Sequence, residues 1–117
     1  MTTKACFLLR IAPQHREEYI ARHEQLWPEM VVALRESGYR NYSIFMDPSG
    51  LLIGYFESDD VEATARAMRD HPVNERWNRY MNWMFLPVDD HSDEDHFLLP
   101  RVFDLDDQTS LKESIHT

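Results

Sequence analysis

Apolar and polar positions change period several times along the chain, and each change marks an element. Residues 5–11, Ala-Cys-Phe-Leu-Leu-Arg-Ile, form a compact apolar run bounded by Pro13. The run predicts a strand, with Cys6 as a small buried residue. From 14 to 37 the period lengthens. Tyr19, His23, Trp27, Met30 and Leu34 stand at offsets 0, 4, 8, 11 and 15, one inward stripe of an amphipathic helix. Tyr19 and His23 are one turn apart on that stripe, close enough to share a ligand. Pro28 interrupts the helix. It has no N–H, so the Glu24 carbonyl loses its helical donor, and the ring crowds the same carbonyl. The pattern predicts a bend or a restart there, with Pro28 at the first position of a second segment. Gly38 then ends the helix.

Strict alternation follows. Tyr42, Ile44 and Met46 share one face of residues 41–46, and Asn41, Ser43 and Phe45 share the other. Asp47-Pro48-Ser49-Gly50 reads as a turn, and residues 51–57 return as a second strand of a hairpin. Asp59 or Asp60 can cap a helix reaching about Arg69, with Val61, Ala65 and Met68 inward. Asp70-His71-Pro72 breaks it. A further helical segment runs from Val73 to about Phe85 on an inward stripe of Trp77, Tyr80, Met81 and Met84. Residues 87–95 are an acid-rich loop, and 96–105 read as a last strand in which Pro100 implies an edge or a bulge. Residues 106–117 form a polar tail, expected to fray.

The order β-α-β-β-α-β predicts an α+β fold of the ferredoxin-like kind over residues 1–105, as a single domain. Its four-stranded antiparallel sheet carries helices on one face. The other face is hydrophobic, and an exposed patch of that size is unusual in a monomer. A homodimer with the two sheets face to face, a dimeric α+β barrel, is therefore expected.

Composition narrows the function. At 117 residues and 43% hydrophobic, the chain can bury a core of its own. A net charge of −9 argues against nucleic acid and anionic membrane surfaces as partners. No window of apolar residues is long enough to span a membrane, and the first residues, Met-Thr-Thr-Lys-Ala-Cys, lack the apolar core of a secretory signal. A cytoplasmic protein is expected. One cysteine excludes a disulfide framework within the chain. The three glycines form no phosphate-cradling loop, and no Cys-X-X-Cys or His-Glu-X-X-His occurs. His91 and His96 flank acidic residues in the loop, but consecutive, unanchored ligands read as a solvated segment rather than a metal site.

Tyr19, His23, Tyr42 and Trp77 remain. In a ferredoxin-like layer they converge between sheet and helices. A tryptophan wall, two phenols and an imidazole suit a sugar, whose apolar C–H side packs on aromatic faces while polar tips bond its hydroxyls. On pattern alone the same residues also serve as core with satisfied polar ends.

The strings Glu17-Glu-Tyr19-Ile-Ala-Arg-His23, Trp27-Pro28-Glu29, Asn41-Tyr42-Ser-Ile and Arg76-Trp77-Asn-Arg-Tyr80-Met81 resemble those of the L-rhamnose mutarotases, in the same order and at nearly the same spacing, over roughly residues 4–105. The resemblance implies a dimeric α+β barrel without metal or cofactor that interconverts the α and β anomers of L-rhamnose. It implies His23 as proton donor and Tyr19, Tyr42 and Trp77 as sugar contacts, with Asn78 beside Trp77 at a further substrate position. Three features depart from the family pattern. Asn78 replaces a frequent second tryptophan, Glu24-Gln25 replace a frequent Asn-Pro, and the acidic loop and tail are longer. These leave the acid–base chemistry intact and open the sugar to another 6-deoxy or related one. Histidine titrates at about 6.5 and can give and take a proton at neutral pH, here as acid to the ring oxygen and base in reverse. Two readings compete: a cofactor-free oxygenase of the same barrel class, and a non-catalytic module that binds a small metabolite.

Overall fold

The computed structural model describes residues 2–87 and 97–107. Strand β1 (Thr3–Ile11) is central. Its period-2 alternation sends Ala5, Phe7 and Ile11 into the core beneath the helices. Cys6 is on the other side, half-buried opposite Tyr55, and not in the core as the apolar run predicts. The run is apolar on both faces, so it does not by itself say which parity faces the helices.

A 3₁₀ turn (Pro13–His15) leads into α1 (Arg16–Glu24). The long helical stretch then breaks outright. Leu26 N–H turns back to the His23 carbonyl at 3.3 Å, and Trp27 is extended, with φ −59° and ψ 133°. Helix α2 (Pro28–Ser37) restarts with Pro28 in its first turn and ends at Gly38, whose φ of +115° favours glycine.

β2 (Arg40–Met46) and β3 (Leu51–Ser58) form the hairpin. Asp47 closes its turn by accepting from Ser49 N–H at 2.8 Å and Leu51 N–H at 3.0 Å. The hairpin ladder slips between Arg40 and Ser43, where three steps of β2 span two of β3. Asn41, at φ +49°, occupies the slip. Helix α3 (Val61–Arg69) is capped by Asp60, whose carboxylate accepts from Ala63 N–H at 3.1 Å. Helix α4 (Pro72–Met81) follows the break at Asp70–His71.

Two boundaries differ from the pattern. Helix α4 stops at Met81, a 3₁₀ turn (Asn82–Met84) follows, and β4 (Phe85–Leu86) begins where a helix was expected. An apolar stripe continued into a short strand keeps the same residue types, so periodicity does not see the change. The last strand is only β5 (Phe97–Leu99). Pro100 ends it, because proline cannot donate to the ladder. Tyr80 is also exposed rather than inward: Trp77 and Met81, one turn apart, hold the inward line and leave Tyr80 on the flank.

The sheet order is β2-β3-β1-β4, all antiparallel, with β5 also paired to β1. The curled antiparallel sheet with helices on one face is an α+β half-barrel. Two core clusters lie between the layers. One gathers Phe7, Met30, Ala33, Phe56 and Met68, and the other Ile11, Tyr19, Leu52, Met81 and Met84. The acidic stretch 88–95 with His91, His96, and the tail beyond 107 fall outside the described residues.

Candidate active site

The core leaves a cleft of about 1340 Å³ between the helices and the open half of the sheet. Tyr19, His23, Tyr42, Trp77 and Asn78 all line it. Three elements, α1, β2 and α4, bring them there. Tyr19 and His23 share one face of α1, so their rings meet one turn apart, tilted by 31° with centroids 4.2 Å from each other. Tyr42 follows the bulge at Asn41 and stacks on Tyr39 at 5.0 Å, with Phe7 and Phe56 behind it.

Trp77 reaches the site from α4 and meets the His23 ring edge-on at 5.4 Å. Trp27 stands behind Trp77, also edge-on, at 5.1 Å. The seam between α1 and α4 is fixed from outside. Arg22 donates to the Tyr80 carbonyl at 2.6 Å and lies over the Tyr80 ring, 3.9 Å from its centroid. Arg76 holds Glu29 with two parallel bonds of 3.1 and 2.9 Å, tying α4 to α2. Asn78 is the most exposed of the five.

The protonation pattern follows from this packing. His23 Nδ1 lies 3.0 Å from the Tyr19 carbonyl oxygen. A carbonyl can only accept, so Nδ1 carries the hydrogen and Nε2 keeps a bare lone pair. Burial lowers the His23 pKa, and the Tyr19 carbonyl opposes that only in part. Burial raises the Tyr19 and Tyr42 phenols above their ordinary range, so both hold their protons. The site thus pairs a neutral base with two proton-bearing phenols. Among the described residues no group of three or more His, Cys, Asp or Glu is arranged to hold a metal ion.

Arg16 is one of several cleft residues that the sequence pattern does not single out. Arg16 lines the cleft at the start of α1, three residues before Tyr19 and seven before His23. Its place on their stripe was readable, but a lone arginine at a helix start looks like surface.

Fold and cleft define an α+β half-barrel protein with an aromatic, histidine-bearing cleft. A family model described as L-rhamnose mutarotase matches residues 4–105. The chain belongs to the L-rhamnose mutarotase family. It is 35% identical over 104 residues to an L-rhamnose mutarotase of Pectobacterium carotovorum subsp. carotovorum, covering 88% of this chain and 98% of that one. It is 36% identical over 110 residues to one of Ligilactobacillus salivarius, covering 91% and 100%. Among solved structures, an L-rhamnose mutarotase from Formosa agariphila superposes with a TM-score of 0.70 at 24% identity, covering 86% of this chain and 96% of that one. Tetracenomycin F2 cyclase from Streptomyces glaucescens, a type-II polyketide cyclase, superposes with a TM-score of 0.59 at 21% identity, covering 87% and 95%. At these identities the solved structures speak for the fold.

Proposed function

We propose that the chain interconverts the α and β anomers of L-rhamnose or a closely related sugar, with His23 as the proton carrier. Family membership supports the reaction. The observation that carries the mechanism is the bond from His23 Nδ1 to the Tyr19 carbonyl, which leaves Nε2 unprotonated at rest. A neutral imidazole begins as a base, so in ring opening its partner is the anomeric hydroxyl. This reverses the order in which the sequence assigns its acid and base roles.

Nε2 takes the anomeric proton as the bond from the anomeric carbon to the ring oxygen breaks. The electron pair of that bond goes to the ring oxygen, which takes a proton from a phenol, Tyr19 or Tyr42. The aldehyde rotates about its bond to the next carbon. Closure on the other face returns both protons to their donors. No electron leaves the sugar and no group is transferred, so the reaction calls for no redox partner.

Trp77 supplies the apolar wall for the C–H side of the ring, and Asn78 bonds hydroxyls at the mouth. In this reading residues 1–105 act as one ferredoxin-like domain with 106–117 as a polar tail. The protein works in the cytoplasm as a homodimer, sheet against sheet. Leu8, Leu51 and Ile53, half-buried on the helix-free side, and the exposed Phe45 support that contact. No helix among the described residues is long and apolar enough to cross a membrane.

The test is anomer exchange followed by saturation-transfer NMR. His23→Asn, folded by circular dichroism, is expected to lose about 10²–10⁴-fold of the rate enhancement. Undiminished exchange in that variant would remove His23 from the mechanism. Sugar binding with no faster exchange in the unaltered protein would support a binding module instead.

A further inference from the structure

Tyr39 is a core residue whose polar end the core does not use. Two bonds at the end of α2 fix where it goes. Gly38 N–H reaches the Arg35 carbonyl at 3.2 Å, and Tyr39 N–H reaches back to the Leu34 carbonyl at 3.1 Å. With Gly38 left-handed between them, this is the glycine-dependent closure that reverses a chain at a helix end. The Tyr39 ring then enters the core, where it packs on Phe56 at 4.6 Å and stacks on Tyr42 at 5.0 Å, the planes 27° apart. A helix end and two aromatic neighbours thus hold the ring. The residue is only 8% exposed, and it lines the same cleft as Tyr19 and His23.

No hydrogen bond among the described residues uses the Tyr39 hydroxyl, and the same holds for the hydroxyls of Tyr19 and Tyr42. None of the three is sealed off. Among described residues that are not exposed, Arg16 Nε is the one side-chain nitrogen or oxygen both closed to solvent and without a partner. The three phenols form a series across the cleft. Tyr19 meets His23 and belongs to the core cluster of Ile11 and Leu52, whereas Tyr39 belongs to that of Phe7 and Met30. Tyr42 links them: burial raises its pKa, and the charges that Tyr39 and Tyr19 would carry if ionised oppose its ionisation as well. Burial raises Tyr39 too, so each member of the series keeps its proton and can donate. A hydroxyl already fixed on an ordered ring pays little further entropy when a ligand pairs with it.

We infer that Tyr39 is a specificity-determining residue of the site, pairing its phenol with a sugar hydroxyl on the side of the ring away from the anomeric carbon. In a pyranose, carbons 3 and 4 lie across the ring from carbon 1. With the anomeric hydroxyl at His23, the 3- or the 4-hydroxyl is therefore the group that meets the far end of the phenol series. A neutral donor and acceptor suits a neutral hydroxyl. A site built to bond a hydroxyl rejects the analogue that lacks it, because its own polar group is then left unpaired. Tyr39 would select in this way among sugars that all satisfy His23.

This inference rests on the sugar reading of the cleft, and the experiment separates the two. The probes are L-rhamnose and its 3-deoxy and 4-deoxy analogues. Isothermal titration calorimetry gives affinity and saturation-transfer NMR gives KM and kcat for anomer exchange, with the unaltered protein and with Tyr39→Phe. That variant keeps the ring and its stacking, and urea denaturation checks that it folds. The unaltered protein is expected to bind one of the two deoxy sugars about 2–10-fold more weakly than L-rhamnose, the equivalent of one neutral hydrogen bond. Tyr39→Phe is expected to lose a similar factor toward L-rhamnose, through KM rather than kcat, and to bind that deoxy sugar as the unaltered protein does. A purely structural role would not couple the loss on the protein to one hydroxyl of the sugar. The deoxy sugar that shows the coupling identifies the hydroxyl. Equal affinity of the unaltered protein for all three sugars overturns the inference whatever the stability of the variant. So does a Tyr39→Phe protein that binds L-rhamnose undiminished, or one that weakens toward all three sugars alike. Binding without anomer exchange in the unaltered protein overturns the mutarotase reading, and the calorimetric comparison still decides the role of Tyr39. Absence of binding to the unaltered protein overturns both.

Discussion

At the residue scale, His23 couples structure to pH. Burial lowers its pKa, and the Tyr19 carbonyl acts in the opposite direction. The base form therefore predominates at neutral pH. Activity is expected to fall on the acid side with a midpoint below about pH 6.5, the free histidine value. A pH profile of kcat/KM checks this, and a midpoint at or above the free value would contradict a buried base. The same shift acts on stability. The unfolded chain takes up the proton first, so the contribution of neutral His23 is whole above the unfolded pKa and is lost as pH falls through the lower folded one. The pair Tyr19–His23 was legible because a spacing of four residues fixes a shared helix face whatever surrounds it. Their contact with Trp77 was legible only as convergence, since the angle between α1 and α4 depends on Arg22 and Tyr80. Arg16 was not singled out: only the structure shows that it lines the cleft, with its Nε buried and without a partner among the described residues.

At the element scale, the sheet sets the shape of the cleft floor. Phe7 of β1 is paired across the ladder with Gly54 of β3, and its ring lies where a Gly54 side chain would be. The same ring touches Tyr42, with centroids 6.2 Å apart. Gly54→Ala is therefore expected to push Phe7 toward Tyr42, destabilise the fold by about 1–3 kcal/mol and weaken sugar binding together. Urea denaturation and calorimetry on one variant check both halves. Loss of neither would show that Phe7 moves freely. The elements themselves were readable where a terminator stands in the sequence: Pro28 restarts a helix, Asp60 caps one, Gly38 ends one. They were misread where composition runs on across a change of backbone, as at Phe85–Leu86, or where a single proline truncates a ladder, as at Pro100.

At the scale of the whole molecule, the helix-free face and the break before α2 carry the largest consequences. Analytical ultracentrifugation at micromolar concentration is expected to give twice the chain mass, and Phe45→Glu with Ile53→Lys to give the single mass. A monomeric unaltered protein would remove the dimer from the proposal. The fold class was visible from element order, but the partner surface was inferred from what the helices leave bare rather than from any motif. The interruption at Gln25–Trp27 separates two helices with unequal anchorage. Helix α1 buries Tyr19 alone, whereas α2 buries Met30 and Ala33, and β1 is paired with β3 from Thr3 to Arg10. Native-state hydrogen exchange is expected to divide the chain accordingly, with α1 amides opening at lower free energy than those of β1, β3 and α2. The helix that holds His23, the proposed proton carrier, would then breathe as a unit of its own while the sheet beneath it stays closed.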